Sequence, residues 1–321
     1  MSTDWSFSAN RCFRRCQRQY YFREIAAWHN AKDPLRRECF LLKQLKTPEQ
    51  WRGLLVHRGI ELFVVPALQH GSPFAWDAAV RGTVDLARRQ LAFSEKRCYR
   101  EPGMTKAKAG DDYCALLPHE LGEDLSPDVL AETEAVVETA LRNLGALDEL
   151  WGELRGRRRY WAEHPVRVSY DGASLVAQLD LLCFRSYGKP IIVDWKVSDS
   201  MGGSDARLQT ALYGWAIWQS GTWGVAQPED ADLFEVQLLT PAVVRHRCDA
   251  EAVVELEDRI YRDLAEIRSL NGTGRYTEVN ADDFEYARNP NSCGPCPFRG
   301  LCLNSVSEPP AATRADAAEV L

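Results

Sequence analysis

The sequence lacks both a long hydrophobic run and a nucleotide-binding glycine loop. No stretch approaches the roughly 18 uninterrupted apolar residues that a membrane-spanning helix needs. The opening residues, MSTDWSFSANRC, do not contain the apolar segment of a secretory signal. The pattern G-x-x-x-x-G-K-[ST] is also missing, which argues against an ATP-driven motor. We therefore expect a cytoplasmic protein that has no membrane partner.

The chain also lacks an overall positive charge. Its net charge is −7, from 39 basic and 46 acidic residues, so it has no general attraction to nucleic acid. The arginines are nevertheless clustered at residues 11–23 and 155–159. Each cluster is compatible with a solvated helix face or with a local track for phosphates, and the sequence favours neither.

The remaining pattern divides the chain into a helical part and a part with short strands. Apolar periodicity predicts helices over 9–28, 48–66 and most of 75–150, with a loop at 99–125. Ser126-Pro127 is a predicted helix start. After residue 160, β-branched segments and turns predict strands, and these alternate with further helices. The predicted later elements are helices at 205–219 and 249–270 and a strand at 234–240.

Cysteines near the C-terminus form an unusual motif. Cys293, Cys296 and Cys302 have the spacing C-x2-C-x5-C, which chance would give in roughly one chain in a hundred of this composition. In a reducing compartment such thiols are better explained as metal ligands than as disulfides. A [4Fe–4S] cluster or a structural zinc takes four ligands, so one more is needed. We expect it at the other end of the chain, where Cys12 and Cys16 lie one helical turn apart.

A pair of carboxylates and a lysine form the second candidate site. A turn at Tyr187-Gly188 would pair residues whose numbers sum to about 375, which places Asp180 opposite Asp194 within a residue or two. Asp194 and Lys196 are two residues apart and therefore share a face of the strand. Two carboxylates suit Mg²⁺ or Mn²⁺, and the lysine could hold a phosphate or orient a water. A surface salt bridge is the alternative, but the apolar neighbours favour a metal site.

Two helical pairs accompany this site. Gln209 and Tyr213 are four residues apart and lie on one helix face just after the strand of Asp194. His57 lies in an apolar helix, four residues before Glu61. Taken alone, each pair is more simply explained by ordinary helix packing.

Together these residues resemble the RecB-like branch of the PD-(D/E)XK nuclease superfamily, in particular its iron–sulfur members. Those members include the CRISPR-adaptation exonucleases and the cluster-bearing subunit of AddAB helicase–nucleases. The motifs of the resemblance occur in the family's order and span 7–302, with 64–160 unmatched. They are the segment SANRCFRRCQRQYYF with Cys16, Gly53 to His57, Asp180, Asp194 to Lys196, Gln209 to Tyr213, and Cys293, Cys296 and Cys302.

The resemblance implies an α/β fold with a restriction-endonuclease-like core. A mixed central sheet would be flanked by helices, with a helical insertion and an iron–sulfur clasp that joins the termini. The implied organisation is one nuclease domain over 1–304, with the insertion at 64–160, the catalytic sheet at 160–245, the cluster-binding segment at 285–304 and a disordered tail at 305–321.

The resemblance also implies roles for single residues. Those implied to hold Mg²⁺ or Mn²⁺ are His57, Asp180 and Asp194, and Lys196, Gln209 and Tyr213 would complete the catalytic site. A 4Fe–4S cluster would be bound by Cys16, Cys293, Cys296 and Cys302. Glu163 lies where such proteins often carry an acid and is assigned only a possible supporting role. Two positions depart from the family pattern, since Gln17 follows Cys16 in place of proline and Ala177 stands in place of glycine.

The function implied by the resemblance is a divalent-metal-dependent DNA nuclease. We expect an exonuclease that acts on single-stranded DNA or DNA ends, in repair and recombination or in phage defence, with a helicase or CRISPR-adaptation proteins as partners. The alternative is a catalytically silent DNA-binding or scaffold subunit with a structural metal cluster. Such a subunit would be expected to have lost Asp180, Asp194 or Lys196, and all three are present.

Overall fold

A mixed six-stranded sheet forms the centre of the protein, which a computed structural model describes over residues 4–184, 189–197, 204–271 and 276–304. The predicted turn at Tyr187-Gly188 and the tail at 305–321 lie outside these residues. The strands are β1 (Asp4–Ser6), β2 (Arg159–Tyr170), β3 (Ala173–Phe184), β4 (Ile191–Lys196), β5 (Asp232–Gln237) and β6 (Ala242–His246).

The long strand β3 organises the sheet. Antiparallel β2 pairs with it along its whole length. On the other side of β3, β1 pairs in parallel with residues 174–176, and β4 pairs antiparallel with residues 181–183. β5 continues the sheet parallel to β4, and β6 pairs antiparallel with β5. Within the described ranges, β3 has no strand partner on this side between β1 and β4, so the sheet has a gap next to Asp180.

Helices cover both faces of the sheet. No helix in the part of the chain that the structure describes is long and apolar enough to cross a membrane. The α-helices are α1 (Phe7–Arg15), α2 (Gln17–Tyr20), α3 (Pro34–Leu42), α4 (Pro48–Gly59), α5 (Val65–His70), α6 (Trp76–Glu95), α7 (Lys106–Ala109), α8 (Leu117–Leu121), α9 (Pro127–Gly145), α10 (Asp148–Leu154), α11 (Ser204–Gln219), α12 (Ala250–Asn271) and α13 (Arg299–Asn304). π-helical turns at Tyr21–Ala26 and Ile60–Val64 extend α2 and join α4 to α5.

Local sequence explains where several elements begin and end. Ser126 caps α9 by accepting a hydrogen bond from the amide of Asp128, with proline in the first turn, so the predicted start at Ser126-Pro127 is confirmed. Asp171 and Gly172, with φ of 46° and 70°, form the tight turn between β2 and β3. Positive φ at both central residues fits the type I′ turn that matches the twist of a hairpin.

Two hydrophobic cores hold the helices against the sheet. On one face, α1, α11 and α12 pack on β3 through residues such as Phe13, Trp215 and Ile260. On the other face, α4, α6 and α9 pack on β4 and β5 through residues such as Val56 and Leu141. Most of the helical stretch at 64–160 therefore lies in one layer together with α4, although Tyr99, Ala115 and Leu117 pack in the other core.

The structure corrects three predicted elements. The single helix expected over 9–28 is interrupted at Cys16, whose backbone is extended and whose Sγ accepts a hydrogen bond from the amide of Gln19. The helix expected over 48–66 continues to His70, and the loop expected at 99–125 contains α7 and α8. Strand β1 was not predicted at all.

Candidate metal centre and cysteine cluster

The two predicted carboxylates come together on neighbouring strands. β3 and β4 pair Leu181 with Val193 and Cys183 with Ile191, and continuing this register by one residue places Asp180 opposite Asp194. The register predicted from the sequence is therefore confirmed. Trp195 is buried in the core formed with α4, α6 and α9, while Asp194 and Lys196 point to the opposite side of the strand.

His57 of α4 completes a group of possible metal ligands with Asp180 and Glu163. The ligand atoms of these three residues all lie within 4.8 Å of one another. His57 Nε2 donates to the carbonyl oxygen of Trp195 at 3.0 Å, so the hydrogen of the neutral ring is on Nε2. Nδ1 faces Glu163 Oε1 at 3.5 Å and Asp180 Oδ1 at 3.6 Å. A histidine that donates one nitrogen to a backbone carbonyl and offers the other is typical of metal ligation.

Glu163 reaches this group because its backbone is strained. Its φ is 48°, in the left-handed region that costs about 1–3 kcal/mol for a residue other than glycine. The ring centroids of Trp161 and His164 lie 6.1 Å apart, so the two side chains share one face of β2. In a regular strand, residues three positions apart face opposite sides. The distorted backbone at Glu163 thus interrupts the alternation and lets its carboxylate face His57.

The sequence analysis assigned Glu163 only a possible supporting role, whereas its carboxylate lies in the group of close ligand atoms. The dipeptide Asp171-Gly172 is itself a turn signal in the sequence, and a turn there pairs residues whose numbers sum to 343, which puts Glu163 opposite Asp180. That signal was available and was not used. The group of close ligand atoms therefore contains Glu163 in addition to the predicted His57 and Asp180, whereas the predicted Asp194 lies outside it.

The other four predicted residues form a closed ring of contacts. Lys196 Nζ lies 2.5 Å from Asp194 Oδ2 and donates to Gln209 Oε1 at 2.9 Å. Gln209 Nε2 donates to the hydroxyl of Tyr213 at 2.7 Å, and that hydroxyl donates to Asp194 Oδ1 at 3.1 Å. Asp194 Oδ2 is buried and, despite the nearby ammonium, has no hydrogen bond of acceptable geometry. A cation-binding role suits such an oxygen, since a buried carboxylate requires compensation.

Burial and mutual repulsion shift the pKa values at this centre. Burial raises the pKa of Asp180 to about 7, and the carboxylates of Asp194 and Glu163 act in the same direction against His57. Burial alone would lower the pKa of His57, but Asp180 and Glu163 outweigh it and raise the pKa to about 9. The acids thus crowd a site that lacks enough positive charge, which is the situation that a divalent cation relieves.

Replacing Asp180 by asparagine is expected to stabilise the metal-free protein at pH 8. The pKa of Asp180 in the folded protein is above its ordinary value of 3.8, so its contribution to stability is present below about pH 4 and lost as pH rises through 7. Removing the charge should raise the free energy of unfolding at pH 8 by about 1–4 kcal/mol, because one pKa unit is worth about 1.4 kcal/mol. Urea denaturation in EDTA at pH 4 and pH 8 measures the difference.

The exposed Asp85, which forms a surface ion pair with Arg88 one turn away, provides the matched control. Asp85→Asn should change stability little and equally at both pH values. A loss of stability for Asp180→Asn at pH 8 would contradict the repulsion inferred at this site.

The four predicted cluster ligands line one cavity of about 50 Å³. Cys16 enters it from the N-terminal helices, and Cys293, Cys296 and Cys302 enter from the C-terminal segment. Cys12 does not line this cavity and is buried in the core of the first face. Burial raises the pKa of Cys296 to about 12, and the other three thiols act in the same direction. Four thiols gathered in this way would ionise readily only beside a cation.

The spacing of the sulfurs bears on which group they suit. A tetrahedral zinc with Zn–S bonds of 2.3 Å would bring its sulfurs to about 3.8 Å from one another. Among the described residues, no three cysteines have sulfurs within 4.8 Å of one another. The described side-chain positions therefore do not form a ready-made tetrahedral zinc site.

The N-terminal arginine cluster is used for internal ion pairs. Arg14 contacts Asp263 and Glu266 of α12, and the buried Arg18 donates to Asp282 at 2.7 Å. These contacts tie α1 and α2 to the C-terminal part of the chain. Of the two interpretations considered for this cluster, a track for phosphates is therefore not supported at Arg14 and Arg18.

Comparison with known proteins identifies the family. A family model described as the PD-(D/E)XK nuclease superfamily matches residues 4–303. The chain belongs to the PD-(D/E)XK nuclease superfamily. A comparison with curated proteins gives no match. Among solved structures, the crystal structure of SSO0001 is 12% identical over 70% of this chain and 85% of that one, with a TM-score of 0.30, which is too low to support an inference.

Family membership supports the coarse predictions made from the sequence. The mixed sheet with helices on both faces is consistent with a restriction-endonuclease-like core. A nuclease of this superfamily is a hydrolase that uses a divalent metal and takes DNA as its substrate. The RecB-like branch, the iron–sulfur cluster and the roles of individual residues remain predictions.

Proposed function

We propose that this protein is a RecB-like, divalent-metal-dependent DNA nuclease whose active centre lies at the gap in the sheet beside β3. The observation that carries this proposal is the convergence of Asp180, Asp194 and Lys196 with His57 across two strands and one helix. These residue types, packed this closely, supply the ligands and the ammonium that phosphodiester hydrolysis needs.

The donor atoms fit a hard divalent cation. Asp180, Asp194 and His57 would hold Mg²⁺ or Mn²⁺, and Glu163 is close enough to assist them. When bound, such an ion lowers the pKa of a coordinated water and offsets negative charge on a phosphate. The ion would compensate Asp194 Oδ2, which lacks a well-formed hydrogen bond, and would take the place of the proton on His57 Nδ1.

The remaining residues position groups without binding the ion. Lys196 is held between Asp194 and Gln209, so its ammonium would neutralise a non-bridging phosphate oxygen or orient the attacking water. Tyr213 donates to Asp194 and fixes the orientation of that carboxylate. Its hydroxyl stays protonated, because burial and the nearby Asp194 raise its pKa well above the ordinary value.

We assign exonuclease action on single strands or DNA ends to this centre. A cavity of about 440 Å³ opens at the gap in the sheet, between the start of α1 and Asp180, and Gln209 and Tyr213 also line it. A cavity of this volume beside largely buried catalytic groups favours one flexible strand over a duplex. From the resemblance we propose that this activity serves repair and recombination or phage defence, alongside a helicase or CRISPR-adaptation proteins.

The C-terminal cavity is proposed to hold a 4Fe–4S cluster on Cys16, Cys293, Cys296 and Cys302. Its role is structural, since the cavity lies between the N-terminal helices and the C-terminal segment. Absorption near 400 nm in protein purified without oxygen would identify it. Colourless protein with bound zinc would refute the cluster.

A digestion assay tests the nuclease proposal against a silent scaffold subunit. Wild-type protein with Mg²⁺ or Mn²⁺ should degrade end-labelled single-stranded DNA, and EDTA should stop the reaction. The time course on strands labelled at either end reports exonuclease action as stepwise shortening. Intact DNA with both metals, from protein that still binds DNA, would favour the scaffold subunit.

A further inference from the structure

A second cavity, of about 280 Å³, opens next to the metal centre on the side of α4. His57 and Glu163 line one end of it, and the other walls come from the segment before α4 and from residues 106–115 of the helical layer. The cavity of about 440 Å³ lies on the Asp180 side of the same centre. The candidate metal ligands therefore stand between two openings.

Two lysines in this second cavity, Lys46 and Lys106, have no carboxylate partner among the described residues. Its acidic residues Glu61 and Asp111 both contact Arg58, and Glu163 faces His57. Lys46 and Lys106 also line the cavity, and no carboxylate among the described residues forms an ion pair with either. Burial lowers the pKa of the half-buried Lys46 to about 8, and Arg23, Lys106 and Lys43 add to the effect. Two ammonium groups that lack a carboxylate partner in a concave site would attract an anion.

An aromatic ring accompanies these lysines. Tyr113 is half-buried in the cavity wall, and Lys106 Nζ lies 5.7 Å from the centre of its ring. Proteins that bind single-stranded nucleic acid combine basic side chains, which contact the phosphates, with aromatic rings, which stack on the bases. Lys46, Lys106 and Tyr113 supply this combination.

We propose that Lys46 and Lys106 bind a backbone phosphate of the substrate strand, next to the phosphate that is cleaved. This inference rests on the proposed nuclease function and deepens it by giving the strand a path. The strand passes from the opening at Asp180, across the metal centre, into the opening lined by Lys46. The helical layer at 64–160 thereby contributes substrate binding through Lys106 and Tyr113.

Binding measured without cleavage tests this site. Fluorescence anisotropy of a labelled single strand in EDTA would compare wild-type protein with Lys46→Gln and Lys106→Gln. Each variant should bind about 3- to 10-fold more weakly, and the slope of log K against log salt should fall by about 0.7 for each lost phosphate contact. Lys108→Gln is the matched control, because this exposed lysine two residues away donates to the carbonyl oxygen of Gly103 and lies outside the cavity wall.

Strands with a 5′-phosphate, a 3′-phosphate or neither identify the ligand. A loss confined to one phosphorylated end assigns the site to a terminal phosphate, and an equal loss on all strands assigns it to an internal phosphodiester. Should Lys46→Gln fail to fold, the exposed Lys106 still provides the test. Unchanged affinity and slope in folded variants, relative to Lys108→Gln, would overturn the site while leaving the nuclease proposal standing. Weakened binding in a protein that never cleaves DNA would support the site and refute the nuclease.

Discussion

Replacing Lys196 by alanine is expected to lower the rate of DNA cleavage about 10³-fold or more while leaving bound iron unchanged. Positioned proton transfer and charge stabilisation by one side chain typically contribute 10²–10⁴-fold. Lys196 is the ammonium next to Asp194, and its removal leaves no equivalent charge in the ring formed with Gln209 and Tyr213. Single-turnover cleavage of labelled DNA measures the loss, and iron analysis shows whether the distant cysteine site is intact.

If Lys196 only maintained the structure of the site, Lys196→Ala would lose metal binding together with activity. Its side chain is about one-quarter exposed, so Lys196→Ala should fold, and removing a positive charge beside Asp194 should preserve or strengthen Mn²⁺ binding. Calorimetry with Mn²⁺ therefore separates lost chemistry from a lost site. Lys189→Ala is the control, because this exposed lysine precedes the same strand and donates to the carbonyl oxygen of Glu229, away from Asp194. Retention of more than a tenth of the activity by Lys196→Ala would exclude Lys196 from the catalytic centre.

The parts of this site that the sequence predicted correctly depend on short-range geometry. A tight turn fixes the register of its hairpin, so Asp180 could be placed opposite Asp194 without a structure. Helix starts such as Ser126-Pro127 carry their own capping residues. Both kinds of information lie within about ten residues of the feature they determine.

Long-range pairing could not be predicted in this way. Strand β1 has only three residues and pairs in parallel with β3, about 170 positions later. No local turn sequence therefore indicates this pairing. The same holds for Arg14 and Arg18, whose charges are neutralised by acids about 250 residues away. The sequence alone could therefore not decide between a solvated face and a phosphate track for this cluster, of which Arg14 and Arg18 form structural contacts.

Backbone strain is the second kind of information that could not be predicted from the sequence. A glutamate carries no sign that its φ will be positive, and regular alternation would not have directed Glu163 toward His57. Strain of this kind persists only where surrounding contacts impose it. Its presence beside Asp180 is an independent reason to locate function at this point of the sheet.

Replacing Cys296 by serine is expected to remove the visible absorption of the protein and to lower its melting temperature. A group held by Cys16 and the three C-terminal cysteines closes a loop of about 280 residues in the unfolded chain. Closing a loop of that length constrains the unfolded state by about 5–6 kcal/mol in the chain-entropy model. Absorption near 400 nm and thermal unfolding followed by circular dichroism measure the two effects in anaerobically purified protein.

Other contacts between the chain ends limit this loss and make it interpretable. Phe22 stacks on Phe298 at 5.8 Å, and Arg18 donates to Asp282, so the ends should stay partly docked without the cluster. Cys296→Ser should therefore retain cleavage at low temperature and lose it on warming well before wild type does. Cys98→Ser is the control, since Cys98 lies outside the cavity and should keep both colour and stability. If Cys296→Ser kept the wild-type melting temperature, the cysteine site would not be the structural link between the chain ends that its position implies.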